Sequence, residues 1–519
     1  MLLEASAEAT LLITARPTGA FVAVISIVLL YCILYNRCLH PLRNIPGPLL
    51  ASVTPLFNVY LFASKRVHTQ SVALHQLYGT WQNAQRGFRT LIIELGPVVR
   101  IAPNLVSVAD FRLLPKIYHR NVDKTPFYST GIAGEVAPLL QVQGHEDHAA
   151  GVKLLAPGLS MGSLREMENS VDERIAEVMA KLCSKCGVTK LQIDVSEWIR
   201  WYVYDTLCHL VYGRPVGMMQ QERDVHRLIK NWHNMFWFGG LVGTLPSLIH
   251  PIITIPGLKR FLMPNKSHKS GAGFIMSAHE NLFGQSSHEG DITTIRRTLA
   301  KGHKLTQEQI QQQCFLTTVA GQDTTASLIS ALLNHLLSNA AVMHTLKDEI
   351  ACVESQGGFS KPVVQQHETS EAHLPYFNAC IRESLRLTPP TPLHLPRYAP
   401  VGGFWIDENT HIPEGTEVAS NPYVIGRDKA LYGDDANQFR PPRWLEQSER
   451  SAMMRKYDFA WGYGDRRCIG KSLALVEVSK FIVQLLREFD VSATPHMRPT
   501  INNVGIYMFS DQQIYLARK

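Results

Sequence analysis

Residues 459–470 read FAWGYGDRRCIG, a stretch that places one cysteine, Cys468, among three glycines. Glycine permits tight turns and lets the backbone approach a flat ligand closely. The following residues, KSLALVEVSKFIVQLLREF, have apolar positions with helical spacing, so Cys468 lies at a predicted helix N-terminus. Backbone N–H groups and the helix dipole there favour a thiolate over a thiol. The sequence therefore predicts a ligand loop whose thiolate binds a metal, and the plainer alternative is a glycine-rich turn with a structural cysteine.

The ligand loop resembles the cysteine-ligand signature of the cytochrome P450 family, F-x-x-G-x-G-x-R-x-C-x-G. The matching residues are Phe459, Gly462, Gly464, Arg466, Cys468 and Gly470. The resemblance implies haem b, with Cys468 as axial ligand of the iron and Phe459, Gly462, Arg466 and Gly470 at the cofactor. A thiolate is the axial ligand by which such proteins favour O–O cleavage, and Arg466 is placed to pair with a haem propionate. The resemblance also implies a mainly α fold with small β-sheets, of the α+β class.

The composition is that of one large globular domain. The chain has 519 residues, of which 45% are hydrophobic and 18% charged, and no linker or repeat divides it. The net charge of +7 is mild and the basic residues are scattered, which argues against nucleic-acid binding. The nine cysteines are an odd number in a chain that is too long for a disulfide scaffold, so reduced thiols fit best.

The N-terminal region predicts a membrane anchor. Residues 19–35 are apolar and uncharged, and at ~1.5 Å per residue such a helix spans ~26 Å, close to a thin bilayer core. A cleaved signal peptide is the alternative, but no small-residue cleavage site follows. Arg37 and Arg43 follow the span, which favours a cytosolic main body. We therefore expect residues 1–40 to anchor a catalytic domain of residues 41–519 in the endoplasmic reticulum membrane, by a single pass.

A long helix is predicted from Thr306 to Asn339, beginning with a Thr306/Gln309 capping box. Residues 320–325, AGQDTT, place a glycine and polar residues in its middle. A solvated turn of an amphipathic helix would explain them. The stretch also resembles the oxygen-binding motif of the cytochrome P450 family. That resemblance implies that Thr324 hydrogen-bonds dioxygen and that Asp323 relays protons.

Three further charged residues match a structural motif of the same family. Glu383 and Arg386 are spaced to share a helix face. Arg443, in FRPPRW, resembles the downstream arginine of the family. The resemblance implies a buried network of Glu383, Arg386 and Arg443 that braces the ligand loop. Arg397, after a proline-rich stretch, resembles a second propionate-binding arginine.

The sequence departs from the family pattern in two places. Where members carry W-x-x-x-R with the arginine on a propionate, this chain has His148 and Val152, followed by Lys153. The contact is therefore missing or supplied by His148 or Lys153. Residues 80–96 separate two parts of a family motif, which predicts either a surface insertion or a retained in-frame intron.

The family layout also indicates where a substrate would bind. Pocket residues expected from it are Tyr128, Phe315, Ala320, Leu393, His394 and Tyr507. An apolar pocket with a few polar groups suits a lipophilic small molecule. Residues 236–262 are apolar enough to dip into the membrane surface, although core packing would give the same pattern.

The chain has no Gly-rich dinucleotide fingerprint, so NADPH would act only indirectly, through a flavoprotein reductase. Lys471, Lys480 and Arg487 are predicted to contribute a basic docking face for that partner.

The leading functional prediction is a monooxygenase that inserts one oxygen atom of O2 into a lipophilic small molecule. The motifs resemble fungal members of the pisatin-demethylase-like and benzoate-hydroxylase-like groups, which indicates secondary metabolism. Two alternatives stay open: a haem-thiolate isomerase or dehydratase of the same fold, and a haem-binding protein without catalysis.

Overall fold

The computed structural model describes residues 20–24, 26–85, 97–130, 138–186, 190–253, 255, 275, 277–278, 293–300 and 305–519. The longer helices in these ranges are Ala20–Leu39, Leu56–Ala63, Val67–Gln85, His145–Leu155, Met161–Lys185, Val195–Tyr212, Leu228–Gly243, Pro246–Ile253, Gln307–Leu337, Ala340–Ser355, Pro375–Leu387, Glu449–Lys456 and Lys471–Glu488. Shorter helices are Leu49–Val53, Leu114–Ile117, Phe127–Thr130, Met218–Gln221, Thr294–Ala300, Pro422–Ile425 and Lys429–Tyr432. Together with the small sheets below, they confirm the predicted mainly α class.

The strands are short and form separate sheets. They are β1 (Val98–Ala102), β2 (Leu105–Val108), β3 (Leu191–Asp194), β4 (Arg397–Tyr398), β5 (Phe404–Asp407), β6 (Thr410–Ile412), β7 (Glu417–Ala419), β8 (Phe489–Ala493), β9 (Thr500–Asn503), β10 (Tyr507–Ser510) and β11 (Gln513–Arg518). The largest sheet has the order β1-β2-β7-β4, in which only the β2–β7 pair is parallel. The others have the orders β3-β11-β8, β10-β9 and β5-β6.

The central helix, Gln307–Leu337, organises the helical part of the fold. Its predicted capping box is present: Thr306 N donates to Gln309 Oε1 at 2.8 Å and Gln309 N donates to Thr306 Oγ1 at 3.2 Å. The helix packs along Val195–Tyr212. At Gly321 a Cβ atom would lie 2.9 Å from Leu207 Cδ1, so the glycine lets the two helices approach closely.

Two hydrophobic clusters meet at the ligand loop. The larger joins the central helix to Met161–Lys185, Val195–Tyr212 and Lys471–Glu488, and it includes Leu473, just after the loop. The smaller surrounds β1 and β2 and includes Phe459, at the start of the loop. The loop is therefore held at both ends by packed core.

The N-terminal helix Ala20–Leu39 is long and apolar enough to cross a membrane. Its mean hydropathy is 2.0, and none of it is buried against the rest of the chain. These properties agree with the predicted span, and residues 1–19 lie outside the described part of the chain.

Most of the predicted insertion also lies outside the described residues. The helix Val67–Gln85 includes its first part, residues 86–96 are not described, and β1 begins directly afterwards. Whether residues 80–96 are an insertion or a retained intron stays a prediction.

The charged network predicted around Glu383 is present and buried. Glu383 Oε1 lies 2.7 Å from Arg386 Nη2 and 2.9 Å from Arg443 Nε, and Trp444 Nε1 donates to Oε2 at 2.9 Å. Burial alone would raise the pKa of Glu383, but the hydrogen bonds and charge of Arg386, and the charge of Arg443, hold it below its ordinary value. Arg386 Nη1 also donates to Gly426 O, so the network ties several loops to one helix.

Glu383→Ala is expected to lower the free energy of unfolding by ~3–5 kcal/mol, because it leaves the buried Arg386 guanidinium without an anion and leaves Arg443 with Asp435 alone. Urea unfolding followed by circular dichroism measures the change. Glu371→Ala is the matched control, since Glu371 pairs with Arg382 at 2.8 Å on the surface, where such a pair contributes ~0–1 kcal/mol. Equal losses in the two variants would contradict a bracing role for the buried network.

Candidate active site

The ligand loop adopts a conformation that only its glycines allow. Gly462 and Gly464 have φ values of 77° and 68°, in the left-handed region. At Gly464 a Cβ atom would lie 2.3 Å from Tyr118 O, so any side chain there would collide with backbone. Cys468 N donates to Trp461 O at 2.9 Å, which closes the loop just before the helix Lys471–Glu488.

The helix N-terminus does not by itself make Cys468 a thiolate. Burial raises the pKa of its thiol, and the N–H groups of Gly470 and Lys471, with the Lys471 charge, only partly offset that rise. A coordinating metal ion deprotonates a thiol outright, and it would have to supply the remainder.

Cys468 opens into a cavity beside the central helix. One wall comes from the loop and the start of its helix, and the opposite wall from Ala320, Gly321 and Thr324. Apolar side chains dominate the remainder, among them Leu139, Leu155, Leu159, Leu207, Leu316 and Leu473. The predicted residues Cys468, Gly470, Arg466, His148, Ala320 and Thr324 are therefore brought together around one space.

Lys124 and Arg466 line this cavity and Arg397 is paired with Lys124, a group of basic residues that we call the cation cluster. The backbones of Lys124 and Arg397 are joined by an antiparallel bridge. Lys124 Nζ donates to Leu140 O at 2.8 Å, Arg397 Nη1 to Tyr128 Oη at 2.6 Å and Arg466 Nη2 to Gln143 O at 2.7 Å. In the described part of the chain, none of the three forms an ion pair with a carboxylate.

The pKa values of Lys124, Arg466 and His148 are all lowered, by burial and by the positive charges around them. Burial and the charges of Arg397 and Arg466 lower the pKa of Lys124 to about 6. Burial and Arg397 lower that of Arg466 to about 10. Burial, followed by the three cations, lowers the pKa of His148 to about 3. An anionic ligand would relieve this repulsion, so the cluster has the chemistry of an anion site.

The structure separates the two residues proposed to replace the missing arginine. His148 is buried and lines the cavity. Lys153 is exposed on the same helix and does not line it, while Val152 packs into the core. Lys124, which sequence reasoning missed, is the ammonium group that reaches the cavity. Lys124 lies between Asp123 and Thr125, so its sequence neighbours did not signal a buried side chain.

Asp323 and Thr324 face different sides of the central helix. Thr324 Oγ1 donates to Ala320 O at 2.8 Å on the cavity side. Asp323 is only 5% exposed, and its Oδ1 lies 2.9 Å from Nε2 of His233, on the helix Leu228–Gly243. His233 was not identified from the sequence, since nothing local relates two residues so far apart in the chain.

Glu477 is a further cavity residue that sequence reasoning missed. It lies on the helix after the ligand loop and is fully buried. Burial raises the pKa of its carboxyl group well above the ordinary value, which favours the neutral form.

Several residues expected in a substrate pocket lie elsewhere. His394 is buried between Ser107, at 3.1 Å, and Ser71, at 3.4 Å, and Tyr507 packs its ring on His68. Leu393 belongs to a small core cluster, and none of the three lines the cavity. Their place in a substrate pocket therefore stays a prediction, since a family position determines the segment but not where each side chain packs.

Two predicted pocket residues lie near the cavity without lining it. Tyr128 binds Arg397 at the cation cluster, and Phe315 packs its ring edge-on against Trp232. Phe459, expected at the cofactor, instead supports the loop by packing on Tyr118, with ring centroids 5.0 Å apart.

The predicted docking face requires correction. Lys480 is fully buried and paired with Glu168 and Asp172, and Arg487 is mostly buried against Glu354 at 2.9 Å. The helical repeat turns these two side chains inward, and only Lys471 is exposed.

Comparison with known proteins identifies the family. A family model described as "Cytochrome P450" matches residues 120–515. Quiannulatic acid synthase of Emericella variicolor is 31% identical over 468 residues, which cover 86% of this chain and 87% of that protein. Pisatin demethylase of Fusarium vanettenii is 29% identical, covering 88% of this chain and 85% of that protein.

A third relative is longer than this chain. The cytochrome P450 monooxygenase mpaDE' of Penicillium brevicompactum is 28% identical over 91% of this chain, but the match covers only 54% of that protein. This chain thus spans about half the length of that relative. The matches confirm the predicted cytochrome P450 fold and a monooxygenase-type enzyme, and the chain belongs to the cytochrome P450 family.

Proposed function

We propose that this protein is a haem-thiolate monooxygenase of fungal secondary metabolism. It would insert one oxygen atom of O2 into a lipophilic small molecule, using electrons from an NADPH-dependent flavoprotein reductase. The observation that carries the proposal is one cavity that is lined by Cys468, by Thr324, and by Lys124 and Arg466 of the cation cluster.

The donor set fits haem b. Cys468 Sγ would be the axial ligand of the iron. The two propionates would serve as the carboxylate partners that Lys124, Arg397 and Arg466 do not have among the described residues. His148 lies next to these cations. When bound, haem supplies the binding and reductive activation of dioxygen.

The residues of the chain then control protons and water. Thr324 holds its hydroxyl on the Ala320 carbonyl at the cavity wall, where a small rotation would turn it toward a ligand. Asp323 would hold the proton that Thr324 passes on. The leucines that line the cavity with Thr324 would limit the access of bulk water to its hydroxyl.

An exposed apolar surface supports membrane attachment. Large apolar side chains are exposed on two helices that follow the N-terminal helix and on the helices Leu228–Gly243 and Pro246–Ile253. They are Leu49, Leu56, Tyr60, Phe238, Leu248 and Ile252. Two of these helices touch closely, since a Cβ at Gly240 would lie 2.1 Å from Phe62 Cζ. Soluble surfaces seldom carry so many large apolar side chains together. We infer that this face lies on the endoplasmic reticulum membrane, with the domain in the cytosol, and admits substrate from it.

The reductase would dock on the exposed basic residues around the ligand loop. Lys471 and Arg467 lie against Trp461 and Tyr463, at 5.8 and 5.5 Å from the ring centroids. Both are exposed, as is neighbouring Lys456. These residues replace Lys480 and Arg487 in the docking surface.

Cys468→Ser is expected to abolish the thiolate-type Soret band in the reduced carbon-monoxide difference spectrum, together with NADPH-supported turnover, because a hydroxyl does not replace a thiolate at iron. Cys352→Ser, an exposed cysteine far along the chain, serves as control and should leave both unchanged.

The same measurements separate the alternative functions. Turnover without NADPH would indicate an isomerase or dehydratase. A wild-type protein that takes up haem but consumes no dioxygen with the reductase would indicate binding without catalysis. An unaltered spectrum in Cys468→Ser would refute the axial ligand.

Lys124→Met is expected to speed haem release roughly 10- to 100-fold, because a hydrogen bond to a charged group contributes ~1.5–3 kcal/mol. The haem-free protein should instead become more stable at neutral pH. The pKa of Lys124 is lowered to about 6 in the folded chain, so folding disfavours its charged form. At neutral pH this lysine therefore destabilises the folded state, and its removal should stabilise it.

Haem transfer to a scavenger globin and urea unfolding of the haem-free protein measure the two effects. Lys153→Met is the matched control, and neither quantity should change in it. A release rate equal to that of the wild type would remove Lys124 from the propionate site.

The Arg467→Glu/Lys471→Glu double variant is expected to slow reduction by the reductase roughly 10-fold at low ionic strength, since complementary charge mainly accelerates association. High salt should erase the difference. Stopped-flow reduction under carbon monoxide measures the rate, with Arg223→Glu, on a separate cavity, as control. Wild-type reduction that does not depend on salt would contradict this docking surface.

A further inference from the structure

A second cavity, of about 410 Å³, shares two chain segments with the cation cluster. Phe127 and Pro396 line this cavity, whereas their neighbours Tyr128 and Arg397 bind each other in the cation cluster. Its volume falls within the range of ~300–1,000 Å³ that is common for small-molecule sites. Prolines make up much of its wall, and we call it the proline cavity; they are Pro55, Pro103, Pro126, Pro246, Pro251 and Pro396. Because proline fixes its own φ angle, such a wall is largely preformed.

One carboxyl group belongs to the wall of the proline cavity. Glu417 begins β7, which lies between β2 and β4 in the largest sheet. Its register partners are Leu105 on β2 and Tyr398 on β4, and all three residues line the cavity. The carboxylate is therefore flanked by an aliphatic side chain and by an aromatic ring, which accounts for its burial.

No cation of the described chain compensates this carboxyl group. Among the residues that the structure describes, Glu417 is the only charged side chain that lines the proline cavity, and its carboxyl group forms no hydrogen bond or ion pair. Burial raises its pKa to about 7. Burial, followed by the charge of Glu417, raises the pKa of Tyr398, so this phenol stays neutral. Burying an unpaired carboxylate is costly, and a positively charged ligand would offset that cost.

The surroundings of the proline cavity are apolar. The helices Leu56–Ala63 and Pro246–Ile253 both contribute residues to its wall. These helices also carry the exposed side chains of Leu56, Tyr60 and Leu248, which belong to the face that we place on the membrane. A ligand that matches both the carboxylate and these surroundings carries its positive charge on an apolar body.

We propose that the proline cavity binds a lipophilic ammonium ion, with Glu417 as its anion and with the rings of Phe127 and Tyr398 beside its charged head. Aromatic rings attract ammonium groups through their faces, and a carboxylate supplies the neutralising charge. The site is opposite in sign to the cation cluster, so the two neighbouring sites select different ligands. The inference does not depend on the proposed monooxygenase function, because none of the residues that would hold haem lines the proline cavity.

Isothermal titration calorimetry of the full-chain holoenzyme tests this site. The probe is benzyltrimethylammonium, whose charge does not change with pH. Glu417→Gln keeps the size of the side chain and removes its charge, so it should weaken binding at pH 8 roughly 10-fold or more. Tyr398→Leu should weaken binding about 2- to 5-fold, through the loss of one ring. Glu414→Gln is the matched control, since Glu414 is exposed in the turn before β7, and it should bind the probe as the wild type does.

The pH dependence of binding gives a second readout. The affinity of the wild type for the probe should rise roughly 10-fold from pH 6 to pH 8, because the carboxyl group ionises across its pKa of about 7. Glu417→Gln should show no such rise. This variant should also melt at or above the wild-type temperature at pH 8, since a carboxyl pKa that folding has raised means that the ionised group destabilises the folded state there. Loss of binding in a protein of undiminished stability would then not reflect misfolding.

Three outcomes would overturn the inference. They are equal affinities of the wild type and Glu417→Gln, a wild-type affinity that stays constant between pH 6 and pH 8, and binding of phosphocholine in preference to benzyltrimethylammonium. The last outcome would identify the occupant as a lipid headgroup, because phosphocholine carries the same trimethylammonium group beside a phosphate. Binding of benzyltrimethylammonium that requires Glu417 and exceeds that of phosphocholine would support a free lipophilic ammonium ion.

Discussion

Lys124 and Arg466 line the cavity beside Arg397, and among the described residues the hydrogen-bond partners of these three side chains are neutral oxygens. Burying charge in this way is costly, and the lowered pKa of Lys124 records the cost. The folded chain therefore holds buried positive charge that is not compensated within the described residues. A doubly anionic ligand would neutralise that charge. The repulsion among the basic side chains would increase the affinity for such a ligand, because binding relieves that repulsion as well as forming contacts.

A second charged group of the protein is arranged in the opposite way. Glu383 and Asp435 compensate the charges of Arg386 and Arg443 within the chain, and the Glu383 carboxylate accepts hydrogen bonds from both arginines. The charge-compensated network around Glu383 stabilises the fold. The uncompensated cation cluster would instead bind an anionic ligand. Tyr118 connects the two halves of the site, since its ring packs on Phe459 of the ligand loop and lies 5.3 Å from Arg397. A shift of the loop would therefore reach the cation cluster directly.

The sequence predicted the features that depend on local chemistry. The capping box at Thr306 and the glycine spacing around Cys468 determine their own geometry, whatever surrounds them. Features that depend on tertiary packing escaped it. Lys480 has the composition of a surface residue, yet the helical repeat turns it into the core. His233 became meaningful only when folding placed it 2.9 Å from Asp323, and no pattern of neighbours signals such a pair.

The contact between Gly321 and Leu207 limits how this enzyme can evolve. The space for a single added methyl group is already taken by the leucine side chain. A larger residue at position 321 therefore requires the Leu207 side chain to shift or to be replaced by a smaller one. The effects of substitutions at the two positions are coupled for that reason. Changes in the shape of the reaction chamber at this point would have to begin one helix away from it.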